Sequence, residues 1–167
     1  MHRINRYFLL AVIALTSITY MCFMLNVNSK TEVPYPESYR TWRHIKSGVI
    51  GPNSPIFKVE GGFHHIYAND IAIEGYETGK FEEGSVLVFD KLEMIEDKDG
   101  NMLEGNRIRV DVMVKNHVYD STGGWGFERF MGDSKLDRMV LSLSRAKCFN
   151  CHESQKQAGF VFSKLRK

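Results

Sequence analysis

The sequence predicts an α+β protein: an antiparallel β-sheet packed with helices, preceded by an N-terminal transmembrane or signal helix. The segments "SVLVFDKLEMI" (85–95) and "RIRVDVMVKNHVY" (107–119) are rich in β-branched residues and alternate in polarity. The turn-rich "EDKDGNMLEGN" joins them, which favours a hairpin with Ile108, Val110, Val112 and Val114 on one face. At 167 residues the chain suits one globular domain.

The N-terminal segment differs in kind from the rest. Arg3 and Arg6 precede a nearly uncharged run over residues 7–27, typical of an export or anchoring signal. The run approaches the roughly 20 residues that span a bilayer, and no Ala-x-Ala cleavage site follows it. We predict a signal peptide or membrane anchor over 1–27, a linker over 28–34 and a domain over 35–167. Both forms deliver the domain to the periplasm, and an uncleaved helix would hold it at the inner membrane.

The other elements follow along the domain. Tyr39, Trp42, Ile45 and Val49 recur at helical spacing, which predicts an amphipathic helix within residues 35–51. A loop should follow to Gly62, then a strand over "FHHIYAN" (63–69) and a helix over "NDIAIEGYETGK" (69–80), capped by Asn69 or Asp70 and ended by Gly79. "WGFERF" (125–130) and "GFVFSKL" (159–165) predict two further strands, with an irregular or helical connection between them.

Charge excludes one class of partner. The formal net charge is +2, and basic and acidic residues are mixed along the chain. Such a chain offers no concentrated positive field to a phosphate backbone, so we expect no nucleic-acid partner.

The stretch "AKCFNCHES" (146–154) carries the chemistry. Cys148 and Cys151 are three positions apart and His152 follows directly, which is the pattern of c-type haem attachment. The cysteines would form thioether bonds to the haem vinyl groups, and His152 would be the proximal ligand of the iron. Attachment outside the cytoplasm agrees with the export signal.

Zinc binding and a disulfide are weaker interpretations of the same motif. A structural zinc site needs a second Cys or His pair, whereas the third cysteine lies in the N-terminal segment. His64 and His65 are adjacent on a predicted strand, so their side chains point to opposite faces. A disulfide between Cys148 and Cys151 would close a tiny loop and add little stability.

The kind of haem protein depends on the other side of the iron. An electron carrier would need a sixth ligand, for which Met131 and Met139 are candidates. The strand-rich body argues against the helical architecture that is usual in such carriers.

Several segments together resemble the cytochrome P-460 family, which includes the β-type cytochromes c prime: "YRTWRHI", "HHIYAN", "GSVLVFD", "GGWGFERF" and the C-terminal "CFNCH". The resemblance covers about residues 35–167. It implies an antiparallel sheet with helices, a homodimer, and one covalent haem c per chain whose distal side is open. Cys148 and Cys151 match the attachment cysteines, and His152 matches the proximal ligand.

The family divides at the distal side. Members that oxidise hydroxylamine have a lysine joined to the haem edge, whereas the β-type cytochromes c prime lack that bond and bind nitric oxide or carbon monoxide. Lys91 is our candidate for the crosslink, because alternation puts it on one face with Leu87 and Phe89. A solvated strand lysine is the alternative.

Other site candidates are softer. Either Glu128 or Arg129 is expected to face the haem pocket, to relay protons or hold a propionate, unless they form a surface ion pair. His64 or His65 is a candidate for the same work, and Phe89 and Phe127 are candidates for the pocket wall unless they are ordinary core.

The prediction is a periplasmic haem oxidoreductase that oxidises hydroxylamine or a related small nitrogen compound and passes electrons to a periplasmic acceptor. Binding of nitric oxide or carbon monoxide without turnover, and electron transfer alone, remain the alternatives.

Overall fold

The computed structural model describes residues 10, 12–17, 19–21 and 32–166. The chain divides into two compact units, residues 1–32 and 33–167. In the first unit, residues 10, 12–17 and 19–21 are helical. No helix among the described residues is long and apolar enough to cross a membrane. The predicted signal or anchor over 1–27 and the linker over 28–34 fall largely outside the described residues.

The second unit is built on a five-stranded sheet. Its strands are β1 (Arg43–Ile50), β2 (Gly62–Ala68), β3 (Val86–Glu96), β4 (Met102–Lys115) and β5 (Trp125–Met131). They follow chain order across the sheet, and each neighbouring pair is antiparallel. The predicted hairpin is therefore confirmed as β3–β4, and the predicted strands at 63–69 and 125–130 are confirmed as β2 and β5.

Among the described residues of this unit, three helices accompany the sheet: α1 (Phe57–Glu60), α2 (Asp70–Thr78) and α3 (Leu141–His152). Short 3-10 helices cover Tyr39–Thr41, His117–Thr122 and Glu153–Ala158. The predicted caps of α2 are confirmed, because the Asn69 side chain accepts from the Ala72 amide at 3.0 Å and Gly79 has φ 78°. The expected loop after residue 51 contains the short helix α1.

The predicted helix within residues 35–51 is wrong. One 3-10 turn is followed by strand β1, which pairs with β2 from Arg43 to Ile50. Tyr39 and Trp42 precede β1, and a β-bulge between His44 and Lys46 shifts the register within it, so regular alternation does not mark the strand. The partner strand decided the conformation.

The strand predicted at 159–165 is also absent, since residues 161–166 have no regular structure. The free edge of β5 is occupied instead by the chain that leads into α3. Met131 donates its amide to the Asp137 carbonyl oxygen at 3.0 Å, and the Met139 amide donates to the Arg129 carbonyl oxygen at 3.0 Å. The C-terminal end of β5 is therefore already paired with the segment before α3.

Each face of the sheet has its own hydrophobic core. We call the face that packs against the cysteine motif the site face and the other the opposite face. The opposite face is packed by Val33, Tyr39, Val88, Val110, Val112, Tyr119 and Phe130. The site face is packed by Ile45, Ala68, Ala72, Ile73, Phe81, Leu87, Trp125, Phe127, Val140 and Val161, with Cys148, Phe149 and Phe160 packed against them. The cysteine motif therefore belongs to the site face.

Candidate functional site

The cysteine motif forms the last turn of helix α3. Residues three and four apart on a helix are neighbours, so Cys148 lies beside both Cys151 and His152. Both cysteines are free thiols; Cys148 is half-buried and Cys151 is exposed. Burial raises the pKa of the Cys148 thiol, and the nearby Arg129 guanidinium opposes that rise.

His152 is held by the chain that follows it. Its Nδ1 donates to the Phe160 carbonyl oxygen at 2.8 Å. Burial lowers the pKa of the imidazole, with the Phe160 hydrogen bond opposing, so the ring is neutral near pH 7. Since a carbonyl oxygen only accepts, Nδ1 carries the proton and Nε2 keeps its lone pair for a metal.

Aromatic side chains surround that imidazole. The Phe127 ring centroid lies 5.1 Å from the ring of His152. The Phe162 centroid lies 5.0 Å from the same ring, and Phe162 is 53% exposed. Phe127 is buried in the core of the site face, so its burial fits the core interpretation as well as the wall interpretation. These rings give the motif an apolar setting that suits a flat aromatic cofactor.

The site face is ordered in rows across the strands. Leu87, Met113 and Phe127 are directly paired, and the next row contains Phe89, Asp111 and Arg129. A third row contains His64, Lys91 and Arg109. Because rows on one face are two residues apart, the third row lies about 13 Å along the strands from the first.

Lys91 is buried in that third row, 3% exposed. Alternation thus correctly predicted that it points to the face of Leu87. Its Nζ donates to the Val59 carbonyl oxygen of α1 at 2.7 Å. Burial lowers the pKa of Lys91, and Arg109 lowers it further, while Glu60 and Asp111 oppose the change. This hydrogen bond gives the buried ammonium a protein partner at the far end of the face.

A charged network outside the sequence-based predictions joins α1 to the sheet. Arg109 pairs with Glu60 and with Asp111, the latter at 2.8 Å. Arg129 also pairs with Asp111, at 2.6 Å. Alternation in "RIRVDV" contains the signal, because Arg109 and Asp111 must share the face that Val110 avoids. Asp111 is thus a carboxylate of the site face.

Glu128 lies on the other side of its strand, paired with Val112 of the opposite face. Its Oε1 accepts from the Val140 amide at 2.9 Å and from the Leu141 amide at 3.4 Å, at the start of α3. The carboxylate therefore caps the helix that carries the motif, where a negative charge is favourable. Of the two candidates on β5, Arg129 is the one on the site face.

The adjacent histidines separate as alternation predicts. His64 stacks on Phe89 on the site face, with ring centroids 4.8 Å apart, and its buried Nδ1 has no hydrogen-bond partner among the described residues. Burial lowers the pKa of His64, and Lys46 lowers it further. His65 pairs with Glu104 at 2.7 Å and contacts Ser47.

Two further observations bear on metal binding. In the part of the chain that the structure describes, no three His, Cys, Asp or Glu side chains are grouped so that they could hold a metal ion. A cleft of about 530 Å³ is lined by Lys80, Lys115, Asp120 and Phe160, among others, and neither motif cysteine nor His152 is among its lining residues. The zinc interpretation thus gains no ligands from the fold.

The family model for cytochrome P460 matches residues 36–163. The chain belongs to the cytochrome P460 family. The family binds haem, so the predicted haem protein and the predicted family are confirmed at that level. No curated protein matches the chain.

The site residues fit this cofactor on independent grounds. Both thiols are free, the imidazole keeps Nε2 available, and rings of phenylalanine surround it.

Proposed function

We propose that the domain carries one haem c, attached through Cys148 and Cys151, with His152 as the proximal iron ligand. The observation that carries the proposal is the hydrogen bond from His152 Nδ1 to the Phe160 carbonyl oxygen, 2.8 Å long. Metal-ligating histidines usually donate their other ring nitrogen in this way, which fixes the tautomer and the ring orientation. In attachment, each thiol S–H adds across one vinyl double bond, so the step needs no oxidant.

The proposed activity is oxidation of hydroxylamine or a related small nitrogen compound on the open side of the iron. A bound haem supplies the iron that binds the substrate nitrogen and accepts its electrons. Oxidation of hydroxylamine to nitric oxide releases three electrons and three protons; the electrons pass to a separate acceptor and the protons to water. Phe89 and Phe127 would limit water on the site face, and His152 would set the electron density of the iron.

A second candidate is supported by the contact of Lys91. Its ammonium already donates to the Val59 carbonyl oxygen at 2.7 Å, in the row farthest from the motif. A lysine held in this way favours binding of nitric oxide or carbon monoxide without turnover, because the crosslink of the oxidising members would then be missing. The two candidates therefore differ in the fate of one side chain.

Location and assembly complete the proposal. Haem attachment and the N-terminal "MHRINRYFLL" agree with export to the periplasm. If the N-terminal helix is not cleaved, it would anchor the domain to the inner membrane. By family resemblance the assembly is a homodimer.

Attachment is tested by replacing both motif cysteines. Cys148→Ala with Cys151→Ala should remove all haem that stays with the chain under denaturing conditions, as measured by haem staining of a denaturing gel. Cys22→Ala is the matched control and should leave the stain unchanged. Haem retained by the double variant would contradict the attachment.

The optical spectrum of the ferrous protein separates the activities. A crosslinked haem has a strongly red-shifted Soret band, and Lys91→Met should return it to the position of an ordinary five-coordinate haem c. A wild-type spectrum that is already ordinary removes the crosslink and leaves ligand binding. Sharp visible bands of a six-coordinate iron would point instead to an electron carrier.

A further inference from the structure

Charge is divided unequally between the sheet and the segment that carries the motif. Residues 33–133 contain 11 Lys and Arg against 17 Asp and Glu, whereas residues 134–167 contain eight against two. The near-neutral total conceals an acidic body and a basic C-terminal segment. Only exposed charges act on a partner, so the positions of the basic side chains matter.

Three of the basic side chains of that segment are used within the domain. Lys135 pairs with Glu37, Arg138 donates to the Val33 carbonyl oxygen, and Arg145 lies over the Tyr119 ring. Their contacts tie α3 and the preceding loop to the sheet. They are therefore not counted as part of a docking surface.

The remaining described cations are exposed and have no ion-pair partner among the described residues. We call them the basic collar: Lys147, Lys156, Lys164 and Arg166. Lys147 precedes Cys148 on α3, and Lys156 lies in the 3-10 turn directly after His152. Lys164 and Arg166 follow Phe162, whose ring lies 5.0 Å from that of His152. Each of the four therefore lies, along the chain, within about one helical turn's length of the motif or of the ring that contacts His152.

Two other side chains of the same segment are open to solvent: Cys151, which is exposed, and Phe162, which is 53% exposed. Glu153 is the one acidic side chain of residues 138–167. Interfaces of transient electron-transfer complexes are small, and complementary charges at the rim speed the encounter. Exposed apolar and cationic side chains in the segment that carries the motif have that composition.

We propose that the basic collar is the docking surface for an acidic electron-transfer protein, which takes electrons singly from the haem. The inference rests on the proposed function, because the electron donor is the attached haem. In each transfer the ferrous iron loses one electron and becomes ferric, and the oxidised metal centre of the partner gains it. The acidic body of the domain would repel the same partner, which orients the encounter.

The test uses the full-length haem-loaded protein with two probes of opposite charge, plastocyanin (acidic) and mitochondrial cytochrome c (basic). The collar variant is Lys147→Glu with Lys164→Glu. The matched control is Arg43→Glu with Lys98→Glu, two exposed positions of the body that change the net charge equally. Haem content and the ferrous spectrum are measured first, so a failure of attachment is recognised before any docking measurement.

Stopped-flow oxidation of the ferrous protein gives the rate. With plastocyanin at low salt, the collar variant should react about 10-fold more slowly than wild type and the control less than about 2-fold more slowly. The difference should disappear near 0.5 M salt, where the Debye length is only about 4 Å. Cytochrome c should show the opposite trend. Calorimetry with reduced plastocyanin should show the same ranking of affinity without any turnover.

Equal slowing by the collar and control variants would overturn the proposal, because it would reflect net charge alone. Rates independent of salt would also overturn it. If wild type self-associates in sedimentation at low salt and the collar variant does not, the collar binds a second copy of this chain and the proposal is wrong.

Discussion

Buried polar groups on the two sides of the sheet are satisfied to different degrees. On the opposite face, Asp90 is fully buried and accepts from Tyr39 at 2.7 Å, from Arg40 at 2.9 Å and from Arg107 at 2.7 Å. On the site face, His152 makes one hydrogen bond to protein and keeps a nitrogen for other use. The Asp90 carboxylate thus has several donors, whereas the His152 imidazole has one nitrogen without a partner in the protein.

The comparison teaches where stability and chemistry are separated. A buried carboxylate with several donors fixes the strands but has no capacity left for a ligand. Free thiols and a half-satisfied imidazole contribute little to the fold, yet they are what a cofactor needs. We therefore expect substitutions on the opposite face to change unfolding, and substitutions of the motif to change haem attachment.

The largest effect on stability is expected at Asp90. Asp90→Asn leaves the Arg107 guanidinium without its buried anion, which should cost about 3–5 kcal/mol in the free energy of unfolding. Urea denaturation measures this, and the haem spectrum should not change. Asp99→Asn, an exposed position in the β3–β4 turn, is the control and should cost less than about 0.5 kcal/mol. A changed spectrum in Asp90→Asn would break the comparison between the faces.

Acid should weaken the same cluster. Burial acts to raise the pKa of Asp90, but the hydrogen bonds from Arg107, Tyr39 and Arg40 outweigh it and lower the pKa in the folded state. The stabilisation is then fully present above the unfolded pKa, near 3.9, and is lost as pH falls through the lower folded value. The difference in unfolding free energy between wild type and Asp90→Asn should be constant from about pH 7 to 5 and shrink below about pH 4. A difference that grows in acid would contradict this sign.

A substitution of Glu128 shows whether this carboxylate stabilises the start of α3 or takes part in turnover. Glu128→Gln keeps an acceptor for the Val140 amide but removes the charge, so we expect a loss of about 1 kcal/mol. Thermal unfolding measures the loss, and hydroxylamine turnover is measured beside it. Lost turnover with unchanged unfolding would instead support a role for Glu128 in relaying protons.

The smallest expected effect concerns the tail on the site face. The Tyr76 hydroxyl contacts Ser163 Oγ at 2.6 Å, and burial raises the pKa of Tyr76 to about 12, with the Ser163 bond opposing. Tyr76→Phe should cost about 0.5–1 kcal/mol in unfolding free energy. It should also increase amide hydrogen exchange at residues 161–166. Exchange that is unchanged would mean that Val161 packing alone holds the tail.

Much of the fold was predictable because its signals are local. The β3–β4 hairpin and the caps of α2 follow from alternation, turn residues and the Asn69 and Gly79 positions. The segment that became β1 was not predictable in this way, because a bulge hides the period of two. Its conformation depends on pairing with β2, which lies some 20 residues along the chain.

The sequence by itself determined the chemistry of the motif, the family resemblance and the face on which Lys91 lies. All three depend on residues close in the chain or on strict strand alternation. Only the tertiary structure decided that Phe160 holds His152, that Glu128 caps α3 and that Val59 holds Lys91. Those contacts join residues from different elements, and hydrogen-bond partners far apart in sequence are set by packing, which no local pattern encodes.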